Sequence, residues 1–155
     1  VGYVELCDWV RANNESLTKP NLEADDVMGI MATHPDNVGK CVIVSDDKDM
    51  LSIPGKVYRP LADEQIEVSE QDANRQFLMQ TLTGDSVDNY PGIPGIGAVK
   101  AKAILGSRPS WGAVEQAYIK AGLTKADAIR QARLARILRW SEWDDKKSEV
   151  ILWSP

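Results

Sequence analysis

Residues 84–105, GDSVDNYPGIPGIGAVKAKAIL, decide how the rest of the sequence is read. The first half carries two carboxylates three residues apart, Asp85 and Asp88. The second half packs two prolines and three glycines into Pro91–Gly97 and runs straight into a basic, alanine-rich segment with helical character. Paired acids suit a hard cation, and a glycine-rich loop before a helix N-terminus suits a phosphate. Their adjacency points to a site that holds a nucleic acid backbone beside bound cations.

The charge distribution agrees. The net charge of −5 would argue against a nucleic acid partner, but it is unevenly spread. Residues 1–94 hold 17 acids and 7 bases, whereas residues 95–140 hold 2 acids and 9 bases. A metal site beside a phosphate-binding surface produces such a split, as do two solvated faces of opposite sign. The 155 residues suffice for a sizeable core. No apolar run is long enough for a membrane span, and no signal peptide is recognisable. Two isolated cysteines, Cys7 and Cys41, exclude a disulfide framework or a zinc site, so a cytoplasmic setting is expected.

Outward from the central stretch, the periodicity predicts helices over 1–12 and from Glu23 to His34-Pro35. Lys40–Ser45 predicts a parallel strand buried on both faces, and Lys56–Tyr58 and Gln65–Val68 predict two further short strands. Ser69 opens a helix to about Leu82, with Ala73, Phe77, Leu78 and Leu82 inward. Helices are expected at Ala98–Leu105, Trp111–Ala121 and from Thr124 to about Trp140, the last with Arg130, Arg133, Arg136 and Arg139 on its outer side. Val150–Trp153 reads as a final strand or an extended tail. The expected fold is α/β with a partial parallel sheet and a largely helical C-terminal half. The expected division is residues 1–83, an α/β core carrying acids, and residues 84–155, a duplex-binding region with C-terminal helices.

Three acidic clusters recur: Glu23, Asp25 and Asp26 at a helix start, Asp47 and Asp49 (with Asp46 adjacent) after the strand, and Asp85 and Asp88. Singly, the first reads equally as capping and the second as a turn. Gathered in one cleft, each close pair would repel by about 1–4 kcal/mol at ~4 Å. The first 94 residues contain too little basic character to offset that, so cations are expected. An all-oxygen donor set favours Mg²⁺ or Mn²⁺, and a cluster this large suits two ions about 3.5–4 Å apart, the arrangement that serves in-line displacement at phosphorus. In that arrangement one ion activates water and the other stabilises the leaving oxygen. The single His34 reads as structural.

Pro91–Gly97 has the form of the hairpin in helix-hairpin-helix modules. Gly92, Ile93, Gly95, Ile96 and Gly97 would bring main-chain N–H groups to a phosphate, with Lys100 and Lys102 adding charge. An ordinary helix–turn–helix with glycine caps is the alternative.

Taken in order, EADD (Glu23–Asp26), VSDDKD (Val44–Asp49), TGDSVDN (Thr83–Asn89) and PGIPGIG (Pro91–Gly97) resemble the flap-endonuclease superfamily of structure-specific 5′ nucleases. The tail from Ala135 to Pro155 resembles its bacteriophage 5′–3′ exonuclease branch. The resemblance implies a PIN-like nuclease core with a helix-3-turn-helix. It implies Glu23, Asp25, Asp26, Asp47, Asp49, Asp85 and Asp88 as metal ligands, with Asp25, Asp26, Asp47 and Asp49 catalytic. It further implies two Mg²⁺ or Mn²⁺ ions, a potassium ion at the hairpin, and a monomer acting on 5′ ends or flaps of duplex DNA and on RNA–DNA hybrids. The setting implied is replication, primer removal or DNA degradation in a bacterial or phage-infected cell. Two departures stand out. The family's first Asp-bearing strand and basic arch have no counterpart in this sequence, and Val99 stands where relatives often carry a lysine. The competing readings are a duplex-binding module that does not cut, and a PIN-like ribonuclease, which explains the acids but not the hairpin.

Overall fold

The computed structural model describes residues 2–155, so the Val1 end of the first expected helix lies outside it. Helix α1 (Tyr3–Asn13) is followed by an extended loop to α2 (Ala24–Ala32), whose first turn holds Asp25 and Asp26. Strand β1 (Val42–Val44) leads through a 3₁₀ turn (Lys48–Ser52) to β2 (Gly55–Arg59) and β3 (Glu64–Val68). The sheet runs β1-β2-β3, parallel between β1 and β2 and antiparallel between β2 and β3. It is therefore mixed. Helix α3 (Glu70–Thr83) starts at Ser69, whose hydroxyl accepts from the Asp72 amide. Helices α4 (Ala98–Leu105), α5 (Trp111–Lys120) and α6 (Lys125–Ala135) complete the helical half, and a hairpin with a four-residue loop joins β4 (Trp143–Asp144) to β5 (Glu149–Val150).

Helix α3 serves two cores. Ala73 packs with Ile43, Met50, Ile53, Val57 and Val68 beneath the sheet. Phe77, Leu78 and Leu82 pack with Ile93, Leu105, Val114, Tyr118 and Ala132. Because α3 spans both, its C-terminal end is fixed against the strand ends on one side and the helices on the other.

Two expectations need correction. Strand β1 is buried on one face only: Ile43 is covered, but Val42 and Val44 are 44% and 60% exposed. The apolar run V-I-V cannot by itself distinguish one covered face from two. The last helix also ends at Ala135 rather than near Trp140. Residues 136–139 are instead extended and cross beneath α2. There Asp26 Oδ1 accepts from the Leu138 amide (3.0 Å) and Thr33 Oγ1 from the Trp140 amide (2.8 Å). These partners lie more than 100 residues away in sequence, beyond the reach of local periodicity. The change of backbone turns Arg136 and Arg139 inward. Arg136 pairs with Glu142 at 2.9 Å, both side chains 9% exposed, and Arg139 reaches Glu70 (2.7 Å) and the Ser52 carbonyl (3.3 Å).

Candidate metal centre and nucleic-acid interface

The three acidic segments converge. Glu23, Asp25, Asp26, Asp47, Asp49 and Asp88 line one cleft of about 410 Å³, with Gln80, Tyr90, Arg133 and Arg136 in its walls. Asp85 lies beneath it, and oxygens of Asp49, Asp85 and Asp88 come within 4.8 Å of one another. Each cluster is delivered by a different device. Asp25 and Asp26 occupy the first turn of α2, where the helix dipole favours carboxylates. Asp47 caps the 3₁₀ turn at the end of β1, its Oδ1 accepting from the Asp49 amide at 2.9 Å. Asp85 and Tyr90 exchange backbone hydrogen bonds (2.9 and 3.0 Å), closing a tight loop that carries Asp88.

Adjacent carboxylates have different environments. Successive helix positions diverge by about 100°, so Asp25 and Asp26 point to different neighbours. Asp25 faces the cleft, and burial, then Asp47 and Glu23, push its pKa above the ordinary carboxylate range. Asp26 is also pushed up by burial, offset by its hydrogen bond to Leu138. Burial followed by Asp47 raises Asp49. Asp85 goes the opposite way: the Lys48 ammonium, 2.6 Å from its Oδ2, and the Val87 amide hold it below the usual range. Asp46 takes no part in the cleft and instead accepts from the Leu61 amide (3.1 Å).

Lys48 is the one base of the first 94 residues that pairs with an acid of this group, among the described residues, and it pairs with Asp85 alone. A residue count cannot place one lysine, whereas the 3₁₀ turn aims it at Asp85. One ammonium among seven carboxylates leaves in place the repulsion that adds to burial in raising Asp25 and Asp49. Gln80 was also not legible as a site residue. It is buried on α3, donates to Asp49 Oδ1 at 2.6 Å, and leaves its own Oε1 without a partner. Its signal was a polar residue close to the apolar positions Phe77, Leu78 and Leu82. Tyr90 forms part of the wall, its phenol pushed up by burial and then Asp49, so it stays protonated. Arg133 and Arg136 reach the cleft because α6 ends against it.

The donor set fits hard divalent ions. All the converging ligand atoms are oxygens, burial and neighbouring carboxylates disfavour ionisation of Asp25 and Asp49, and the unpartnered Gln80 Oε1 lies beside Asp49.

The hairpin is divided by burial. Gly92 and Ile93 are buried, with their amides bonded to Gln131 Oε1 (3.1 Å) and the Leu82 carbonyl (2.9 Å). Gly95 and Gly97 are exposed and Ile96 is half-buried, its amide bonded to the Ile93 carbonyl at 3.1 Å. The first α4 intrahelical bond runs from Ala101 to Gly97, so the amides of the first turn have no intrahelical partner. Lys100 folds back onto the Gly95 carbonyl (2.9 Å). Lys102 lies on the other side of α4, by a depression lined by Leu51, Ile66 and Met79. No helix among the described residues is long and apolar enough to cross a membrane.

No family model matches the sequence. The chain is 31% identical to the exonuclease of Escherichia phage T7 over an alignment of 191 positions, gaps included, covering all of this chain and 64% of that protein. It is 30% identical to the exodeoxyribonuclease of Enterobacteria phage T3, again over its whole length and 63% of that protein. The chain thus spans less than two thirds of these relatives. Part of the chain is 37% identical to DNA polymerase I of Rhizobium leguminosarum over an alignment of 93 positions, covering 54% of the chain and 9% of the polymerase. Among solved structures, the bacteriophage T5 flap endonuclease in a pseudo-enzyme–product complex with DNA and metal ions matches with a TM-score of 0.62 at 15% identity, covering 85% of this chain and 55% of that one. A mutant of the T5 5′-exonuclease matches with a TM-score of 0.60 at 16% identity, covering 84% and 60%. The fold is that of the 5′ nucleases, and in its ordered acidic motifs and its match to the phage enzymes along the whole of this chain, the chain is similar to the flap endonuclease/5′–3′ exonuclease superfamily.

Proposed function

We propose that this chain carries the metal centre and duplex grip of a divalent-metal-dependent 5′–3′ nuclease, hydrolysing phosphodiester bonds at 5′ ends or flaps of duplex DNA and in RNA–DNA hybrids. The observation that supports it is the convergence of six carboxylates from two acidic segments and the Asp88 loop into one cleft, with Asp85 directly beneath. Asp49, Asp85 and Asp88 would hold one ion, and Glu23, Asp25, Asp26 and Asp47 a second. Mg²⁺ or Mn²⁺ bound there would neutralise a phosphodiester and activate water for in-line attack at phosphorus.

The chain's own residues supply position. Gln80 orients Asp49, and Asp47 is locked by the amide it caps. Gly95, Gly97 and the first-turn amides of α4 would take duplex phosphates, fixing register without reading sequence. A potassium ion at the hairpin would share the Gly95 carbonyl with Lys100. Asp26, which also anchors Leu138, combines a ligand role with a structural one.

The test is Mg²⁺- or Mn²⁺-dependent digestion of 5′-flapped and recessed duplexes by the wild type, Asp47→Asn and Asp85→Asn. Both variants should lose cleavage while duplex affinity changes less than about threefold, and wild-type binding should weaken steeply with salt. Equal loss of binding in both variants would refute this division between cutting and grip. Duplex binding without metal-dependent cleavage would assign this chain the grip alone.

A further inference from the structure

Lys48 stands apart from the other cations of the structure. It sits between two acids of the cleft, Asp47 and Asp49, yet pairs with neither. Its ammonium instead reaches Asp85 Oδ2 at 2.6 Å. Asp85 is 7% exposed, and its other oxygen, Oδ1, is taken by the Val87 amide at 2.8 Å. Oδ2, whose one partner among the described residues is the exchangeable ammonium, is the less committed oxygen that Asp85 can offer to a cation shared with Asp49 and Asp88, with which it has a ligand atom within 4.8 Å. The Lys48 side chain is 62% exposed, so it has a clear path to solvent. Two cations held at one carboxylate oxygen repel each other, and a flexible ammonium on a four-carbon stem yields more readily than a multiply coordinated ion.

We propose that Lys48 is a tethered competitor for the metal centre: its ammonium and a divalent ion are alternative partners of Asp85 Oδ2, and loading the ion releases the lysine. The inference rests on the metal-centre reading above and deepens it. With the lysine in place, Asp85 keeps its geometry and charge balance. With the ion in place, a positive side chain is set free at the mouth of the cleft. Lys48 is a positioning residue in this scheme, and the apparent metal affinity of the chain reports an exchange, not a simple association.

The test uses the full chain and measures binding, not cleavage. Mn²⁺ is titrated calorimetrically into the wild type and Lys48→Met, and the Lys48 side chain is followed by NMR during a Mg²⁺ titration. If the ion pair is formed about nine tenths of the time, it masks the metal affinity about tenfold, so Lys48→Met should bind Mn²⁺ about tenfold more tightly. In the wild type, Lys48 should change from an ordered to a mobile side chain as Mg²⁺ saturates the site. A purely Coulombic effect of the lysine would raise affinity in the variant but leave Lys48 ordered on Asp85 in the saturated wild type, and that result overturns the proposal. So does unchanged or weaker Mn²⁺ binding by Lys48→Met. Absence of Mn²⁺ binding by both proteins at millimolar concentration would overturn the metal-centre reading itself, and this inference with it. Binding by Lys48→Met alone would support the exchange most directly.

Discussion

Gly84 and Gly92 are in backbone contact. A methyl group added to Gly92 would stand 2.3 Å from the Gly84 nitrogen, and one added to Gly84 would stand 2.4 Å from the Pro91 carbonyl carbon. This contact closes the loop between them, which carries Asp85 and Asp88, and joins it to the start of the hairpin. The acidic centre and the grip are thus held at a set distance by two residues without side chains.

Gly92→Ala should therefore destabilise the fold by more than about 3 kcal/mol, since the left-handed backbone alone costs about 1–2 kcal/mol and the overlap with Gly84 adds to it. Gly95 has a φ of +76° but open space around it, so Gly95→Ala should cost only the backbone term, about 1 kcal/mol. Urea denaturation of both variants measures the difference. Comparable losses would mean that the Gly84–Gly92 contact does not bind the two parts together.

The Arg136–Glu142 pair is buried on both sides. Arg136→Met should cost about 3–5 kcal/mol, because it leaves Glu142 charged with only the Arg139 amide as a remaining donor. Arg136→Met/Glu142→Met should recover most of that loss. A double variant as unstable as the single one would show that packing, not charge, dominates there.

Asp25 and Asp26 should separate under substitution. Asp26→Ala removes the acceptor for the Leu138 amide and should lower stability by about 1–2 kcal/mol, while Asp26→Asn retains a carbonyl acceptor and should be close to wild type. Asp25→Ala should not destabilise the metal-free chain. Chemical denaturation in EDTA distinguishes the two.

The pH dependence follows from the shifted carboxylates. Asp25 and Asp49 have folded pKa values above the unfolded ones, so their contribution to stability is complete below the ordinary Asp value of about 3.9 and is lost as pH rises through the raised values. Asp85, held low by Lys48, contributes above the ordinary value and loses that contribution as pH falls through its depressed one. In EDTA at neutral pH, Asp25→Asn should raise Tm by about 1–2 °C, a small effect because the group is partly solvated. The gain should vanish near pH 4, and Mg²⁺ should reverse its sign at pH 7. Differential scanning calorimetry across pH 4–8 checks all three.

The local grammar of the sequence determined most of the elements. Apolar spacing and the Ser69 and Thr124 caps marked α3 and the start of α6, and the run from Ala98 to Leu105 is helix as its pattern requires. Four acidic and glycine-rich motifs in one order were enough to indicate the superfamily. Those signals are legible because capping, helical period and turn chemistry act over a few residues.

What only the tertiary structure decided is long-range. Residues 136–139 leave the helix because Asp26 and Thr33 supply hydrogen bonds there, drawing Arg136 and Arg139 inward. Lys48 and Gln80 belong to the acidic centre because a turn and a helix end meet over Asp85 and Asp49. Gly92 is structural while Gly95 is open, although the two repeat the same Pro-Gly-Ile triplet in sequence. For Lys48, Gln80 and residues 136–139 the deciding partner lies more than 30 residues away, and for Gly92 it lies across a closed loop, so these contacts exist only once the chain has folded.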